Sequence, residues 1–326
     1  MKSSALSRKM HSSQAATIMV AAAVIFLLLT GGLTNILPPQ GDQGICLPSA
    51  ATWPLPQWAG ALTNLALNAL IMVMMVVVNK AYNVLRAVTK LQIGLFAMMQ
   101  AAVPRELLTL NSGTLVALGV ISGIFLLFSC YDNPWRVRRV FLAFMILSLG
   151  AATQYCFVAF IPVFWIICAQ MRIFNLRTFL ASVLGLLTVW IILLGFGFVG
   201  LADIHAPDIT SVFEALNLRS ALYLLLVAGF TTFLLLTSTV LNVMKTIAYN
   251  AQARAYNGAL TLVAFITIAA MAFNYNNLLA YLPLLNMCAS YQITHYFVNH
   301  RYERQYAAVL GVCGAYVLLY LWRITL

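Results

Sequence analysis

The few charged residues of this chain stand at the ends of long apolar runs, and that placement constrains the fold more than any motif does. Its 326 residues include 18 Lys or Arg and only 7 Asp or Glu, while 63% are hydrophobic. A water-soluble domain of that composition would expose large apolar patches. Lipid is therefore the expected solvent, and in lipid the backbone N–H and C=O groups must be satisfied within the chain. The runs are much longer than a tilted barrel strand, so the expected fold is an all-α, polytopic transmembrane helix bundle. The formal charge of +11 does not point to nucleic acid, because the basic residues lie in short clusters beside apolar runs rather than in one stripe.

Lys2, Arg8 and Lys9 precede an apolar run from Ala15 to Leu33, which reads as an uncleaved first helix behind a cytoplasmic tail over residues 1–14. Residues 15–326 then read as one transmembrane helical domain. Further spans are expected at Ala61–Val78, Leu91–Val103, Ser112–Tyr131, Thr178–Val199, Ala221–Val243, Ala259–Phe273, Leu278–Val298 and Ala307–Trp322. The stretch Val140–Ala169 has Arg136, Arg138 and Arg139 before it and Arg172 and Arg177 after it. A single helix would put those clusters on opposite sides of a membrane, against the positive-inside tendency, so a short central hairpin turning near Gly150–Tyr155 is expected. Counting the hairpin as two crossings gives about eleven spans, with the N-terminus in and the C-terminus out. That arrangement leaves only Arg105, Arg219 and Arg323 among the basic residues outside. It also makes 34–60 and 200–218 the long outer loops.

Those loops and the sparse polar residues within spans supply the candidate site. Asp203, His205 and Asp208 are residue types that bind cations or orient a hydroxyl, but their spacing matches no metal signature, and a solvated loop with a local Arg219 ion pair is the plainer account of them. Arg219 opens a span at headgroup level, where a guanidinium can fork onto a phosphate or snorkel. Arg105 and Glu106 form a second charged point on the same side. Within spans, Asn64 and Asn68 are four apart and share a helix face, as do His295 and Asn299. Gln154 falls at the hairpin turn, and Asn286, Gln292 and His295 follow Pro283 on one span. Helix-to-helix hydrogen bonding and the lining of a polar path are both open to these groups. The six cysteines form no CxxC pair, and no phosphate loop, dinucleotide fingerprint or HExxH motif occurs. No cofactor and no metal are therefore expected.

Gln170, Met171, Arg172, Phe174, Asn175, Leu176 and Arg177, leading into Phe179–Gly185 and ending at Gly195, Phe196 and Gly197, carry a resemblance. With Asn111–Tyr131, Asn133–Arg139 and Pro162, they resemble an uncharacterised family of polytopic inner-membrane proteins from Bacteroidetes. The resemblance covers roughly Leu91–Gly200 and implies a multi-pass protein of the bacterial inner membrane. More distantly the chain resembles the polyprenol-dependent membrane glycosyltransferases, which have a similar number of spans and a short central hairpin before a basic turn. That likeness implies a catalytic acid in the first outer loop, where Asp42 is the only one. It also implies a polyprenyl-phosphate carrier or other anionic membrane lipid as partner, with Arg105 or Arg219 offsetting phosphate charge. The alternative is a small-solute transporter with a polar path along Asn64, Asn68, Asn286 and Gln292, or a non-catalytic scaffold for membrane protein partners.

Overall fold

A computed structural model describes residues 13–30, 44–204, 218–274, 277–299 and 305–325. Among the described residues all regular structure is helical. The helices are α1 (Ser13–Thr30), α2 (Gln57–Tyr82), α3 (Leu91–Ala101), α4 (Pro104–Leu108), α5 (Ser112–Phe128), α6 (Val137–Thr153), α7 (Phe160–Gln170) and α8 (Leu176–Gly195). They are followed by α9 (Leu218–Thr246), α10 (Ala251–Phe273), α11 (Leu278–Asn299) and α12 (Gln305–Thr325).

Local chemistry sets several of the helix ends. Asn175 caps α8 by accepting from the Thr178 N–H at 2.9 Å, while Thr178 Oγ1 accepts from the Asn175 N–H at 2.9 Å. Asn250 caps α10 in the same sense, accepting from the Ala253 N–H at 3.0 Å. Pro283 inside α11 has no N–H to offer the C=O of Leu279. Asn111 makes good the loss: its Nδ2 donates to the Leu279 C=O at 3.3 Å, and its Oδ1 accepts from the Gly113 N–H at 3.0 Å to cap α5. A Cβ on Gly113 would lie 2.4 Å from that same Leu279 oxygen, so the start of α5 approaches α11 as closely as glycine permits.

The chain reverses at Gln154. After α6, a short 3-10 turn over Tyr155–Ala159 feeds α7, and the Asp132 N–H donates to the Met171 C=O at 3.0 Å, so the two feet of this hairpin meet. Phe157 and Phe164 from its returning arm lie against Gly119 and Gly123 of α5, where a Cβ would come within 2.6 and 2.4 Å of their rings. That glycine pair therefore admits aromatic rings rather than a second helix backbone. α8 packs on α6, with Ser148 Oγ donating to the Leu186 C=O at 2.7 Å.

At the centre stands α11, in contact with α3, α5, α9 and α10 and buried without interruption from Ala280 to His295. The last turns of α2, α5, α9 and α11 and the first turn of α10 meet at one end of the bundle. Tyr82, Phe128 and Tyr256 cluster there, with Phe128 and Tyr256 stacked at 4.4 Å. Arg86, Arg136, Arg177 and Lys245 ring this end: Arg177 lies over Trp135, Arg136 donates to the Ser129 C=O, and Lys245 Nζ donates to the Asn299 C=O at 3.0 Å. We call it the basic end.

Four described helical segments are long and apolar enough to cross a membrane: Gln57–Tyr82, Leu176–Gly195, Leu222–Thr246 and Ala251–Phe273. They make this a multi-pass membrane protein. They also overturn the expected fold of about eleven spans, and the in–out assignment of the termini derived from that count falls with it. Apolar run length overcounted because α5 and α6 have 17 residues each and α3 and α7 only 11. At 1.5 Å per residue those lengths are about 26 and 17 Å, short of the roughly 30 Å hydrocarbon core. The Leu91–Val103 run is not one crossing either, because its helix stops at Ala101 and α4 restarts at Pro104. α11 has the length, with 22 residues, but its second half is too polar.

Candidate functional site

The interruption between α3 and α4 is where buried polarity gathers. Pro104 can begin a helix but cannot donate within one, so the chain breaks at Ala102–Val103. The hydroxyl of Tyr223, from α9, donates to the C=O of Ala102 at this break. Gln100, at the end of α3, reaches between α2 and α11. Its Nε2 donates to Asn68 Oδ1 at 2.9 Å, and its Oε1 accepts from Asn286 Nδ2 at 2.9 Å. Asn68 Nδ2 in turn donates to the Asn64 C=O at 2.9 Å.

This chain has only one self-consistent direction. A carbonyl cannot donate, so Asn68 must present nitrogen to Asn64 and oxygen to Gln100. Gln100 then presents nitrogen to Asn68 and oxygen to Asn286, which must answer with its own nitrogen. Asn286 Oδ1 is left at the head of the relay, buried and without a partner among the described residues. Leaving a buried acceptor open costs about 1–3 kcal/mol, so this position favours a group that donates a hydrogen bond.

A crevice reaches the Asn68 and Gln100 members of the cluster from the side, without Asn286 in its lining. Its volume is about 70 Å³, and Val20, Leu65, Met72 and Phe96 line it together with Asn68 and Gln100. α1 closes one wall, packed so tightly on α3 that a Cβ on Gly94 would lie 2.5 Å from Met19 Sδ. An apolar cleft with a few convergent polar groups is the usual form of a small-molecule site. Thr114 of α5 is also fully buried with an unpartnered Oγ1.

The other residues singled out from the sequence are dispersed. Gln292 bonds Asn242 of α9 and Thr261 of α10, and His295 bonds Asn299. Gln292 lies six residues beyond Asn286, about a third of a turn away from it around α11. The two therefore face different neighbours, and no single path runs along Asn64, Asn68, Asn286 and Gln292. Gln154 is fully buried at the hairpin turn, and both its amide atoms are without a partner among the described residues. Asp203 is exposed, and its Oδ2 accepts from the Gly200 N–H at 2.8 Å in a local turn. Its carboxylate also lies near Cys46, whose thiol is pushed up from its ordinary value first by burial and then by that negative charge. Asp42, His205 and Asp208 lie outside the described residues. Arg105 and Glu106 fall on α4 and Arg219 on the first turn of α9, and their side chains are likewise outside the description.

Sequence reasoning missed Gln100, the middle member of the cluster, and Gln92, which is fully buried with both amide atoms unpartnered. Two glutamines eight apart in an otherwise apolar run of α3 were the available signal. The glycosyltransferase-like reading is corrected. The described residues form helices with no sheet of the kind on which nucleotide-sugar enzymes are commonly built, and no described carboxylate lines the crevice. No group of His, Cys, Asp and Glu able to hold a metal occurs among the described residues. No protein-family model, curated protein or solved structure matches the chain.

Proposed function

We propose that this protein is a membrane carrier for a small uncharged solute, bound through a donated hydrogen bond at the broken helix α3–α4. The observation that carries this reading is the one-way amide relay ending in the open acceptor Asn286 Oδ1, at the level where α3 is interrupted. Carriers commonly place substrate sites at interrupted helices, where irregular backbone is tolerated because protein surrounds it. Uncharged solutes fit best, because every side chain named in the cluster and its crevice is neutral and a lone ion there would go unpaired. The sequence resemblance supports a bacterial inner membrane as the location, with membrane lipids and partner membrane proteins as its surroundings.

A second reading has its own support. The amides of Asn68, Gln100 and Asn286 occupy one another, as interhelical fasteners in a non-catalytic scaffold do. Reconstitution separates the two. Proteoliposomes carrying the purified protein are expected to take up urea, glycerol or another small uncharged solute faster than empty liposomes, read by light scattering after an osmotic step. Asn286→Leu is expected to remove at least nine-tenths of that flux while the protein still melts cooperatively. Flux equal to that of empty liposomes across the panel would favour the scaffold, as would unchanged flux in Asn286→Leu.

A further inference from the structure

A second polar cluster lies on another side of α11, between α9 and α10. Asn242 Nδ2 donates to the backbone C=O of Gln292 at 2.8 Å and to Gln292 Oε1 at 3.0 Å. Gln292 Nε2 donates onward to Thr261 Oγ1 at 3.2 Å. The bond to a backbone carbonyl fixes which way the Asn242 amide points. Its Oδ1 is therefore an acceptor, and it is buried with no partner among the described residues. One turn earlier on the same helix, Thr239 Oγ1 is buried and equally without a partner.

Toward the basic end from this cluster, side chains from three segments stack on one another. Tyr249 donates its hydroxyl to Asn299 Oδ1 at 2.6 Å, and its ring meets that of buried His295 edge-on at 5.9 Å. Asn299 Nδ2 stands 3.2 Å from His295 Nε2. The Arg86 guanidinium lies over the Tyr249 ring, 4.3 Å from its centroid. Arg86 holds this place from a left-handed φ of 54°. Its loop is fixed from below by Asn79, whose Nδ2 donates to the Ala87 C=O at 3.2 Å and whose Oδ1 accepts from the Leu85 N–H at 2.9 Å.

We infer that α9, α10 and α11 enclose a binding site for a small uncharged solute that donates a hydrogen bond, entered from the basic end and closed by Arg86 stacked on Tyr249. Asn242 Oδ1 asks for a donor. Cations are opposed at the mouth by Arg86 and Lys245, and the described hydrogen-bonding groups around Asn242 are amides and hydroxyls, which leave an anion without a counter-charge. The site is separate from the Asn68–Gln100–Asn286 relay and does not depend on the function proposed for it.

Native Cys288 reports on this site. It is 1% exposed, and it precedes Gln292 by four residues, so the two share a face of α11. The full-length protein in lipid nanodiscs is treated with N-hydroxyethylmaleimide, an uncharged thiol reagent, and modification is read for each cysteine by mass spectrometry. Arg86→Ala and Tyr249→Leu are each expected to speed modification of Cys288 at least tenfold while leaving buried Cys168 of α7 unchanged. Glycerol is expected to slow Cys288 modification at least twofold in Arg86→Ala, and Asn242→Leu is expected to remove that protection. A Cys288 rate that stays constant in both variants, or that rises in step with Cys168, overturns the site and its lid. Absent glycerol protection, or protection that survives Asn242→Leu, overturns the assigned ligand contact. The carrier reading fails separately, in the flux assay.

Discussion

α8 and α11 have 20 and 22 residues and use that length in opposite ways. α8 is almost wholly apolar, yet Leu180, Leu184, Leu187 and Ile191 all face outward, and the helix docks chiefly on α6. α11 carries Asn286, Ser290, Gln292, Thr294 and His295, and all five are buried. Of these two helices the apolar one lies at the perimeter, and the one rich in amides and hydroxyls stands at the centre, where other helices satisfy most of its side chains.

The contrast can be broken most severely at the centre. Asn286→Asp places a carboxylate in a cluster with no cation among its described side chains, and an uncompensated buried charge costs about 3–5 kcal/mol. A large fall in detergent melting temperature is expected; an unchanged one would mean that water already fills the cluster. Asn111→Ala comes next. It removes both the α5 cap and the donor to the carbonyl that Pro283 leaves free, a loss of about 1–3 kcal/mol in the same assay. If Asn111→Ala melts like the wild type, the break at Pro283 needs no repair.

At the perimeter, the effect depends on which side of α8 is touched. A Cβ on Gly185 would lie 2.5 Å from the backbone oxygen of Phe141, whereas one on Gly195 meets nothing within 4 Å. Gly185→Ala is expected to cost about 1–3 kcal/mol through forced displacement of α6, and Gly195→Ala less than about 0.5 kcal/mol. Equal effects would show that α8 is not seated on α6 as described. A smaller effect than that of Gly185→Ala belongs to the Asn242–Gln292 pair. A double-mutant cycle with leucine at both positions should return a coupling of about 0.6 kcal/mol, the usual size of such bonds in membranes. A coupling indistinguishable from zero would remove the pair as a fastener between α9 and α11.

Part of this was legible in the sequence. The apolar run of α8, the Asn175–Thr178 pair before it, and the four-residue spacings of Asn64 with Asn68 and His295 with Asn299 follow from local rules. The number of crossings does not, because an apolar run has the same composition whether it faces lipid or packs inside the bundle. α3 shows the difficulty best. Gln92 and Gln100 merely dilute an apolar average, and Pro104 with Arg105 reads as the polar end of a span rather than as an interruption inside one. What makes Gln100 important is that Asn68 and Asn286 arrive beside it from positions 32 and 186 residues away in the chain. No local pattern encodes that meeting.

The central place of α11 also bears on how the protein is made. Synthesis is vectorial, so α3, α5, α9 and α10 all leave the ribosome before the helix they surround. A segment carrying Asn286, Gln292 and His295 gains little from lipid alone, since insertion favours leucine and disfavours polar groups at mid-membrane. The groups on the earlier helices that α11 satisfies, Gln100 and Asn242 among them, lack those partners until it arrives. Assembly ends when a late, reluctant helix takes its place and supplies them, so the final packing of the interior waits on nearly the whole length of the chain.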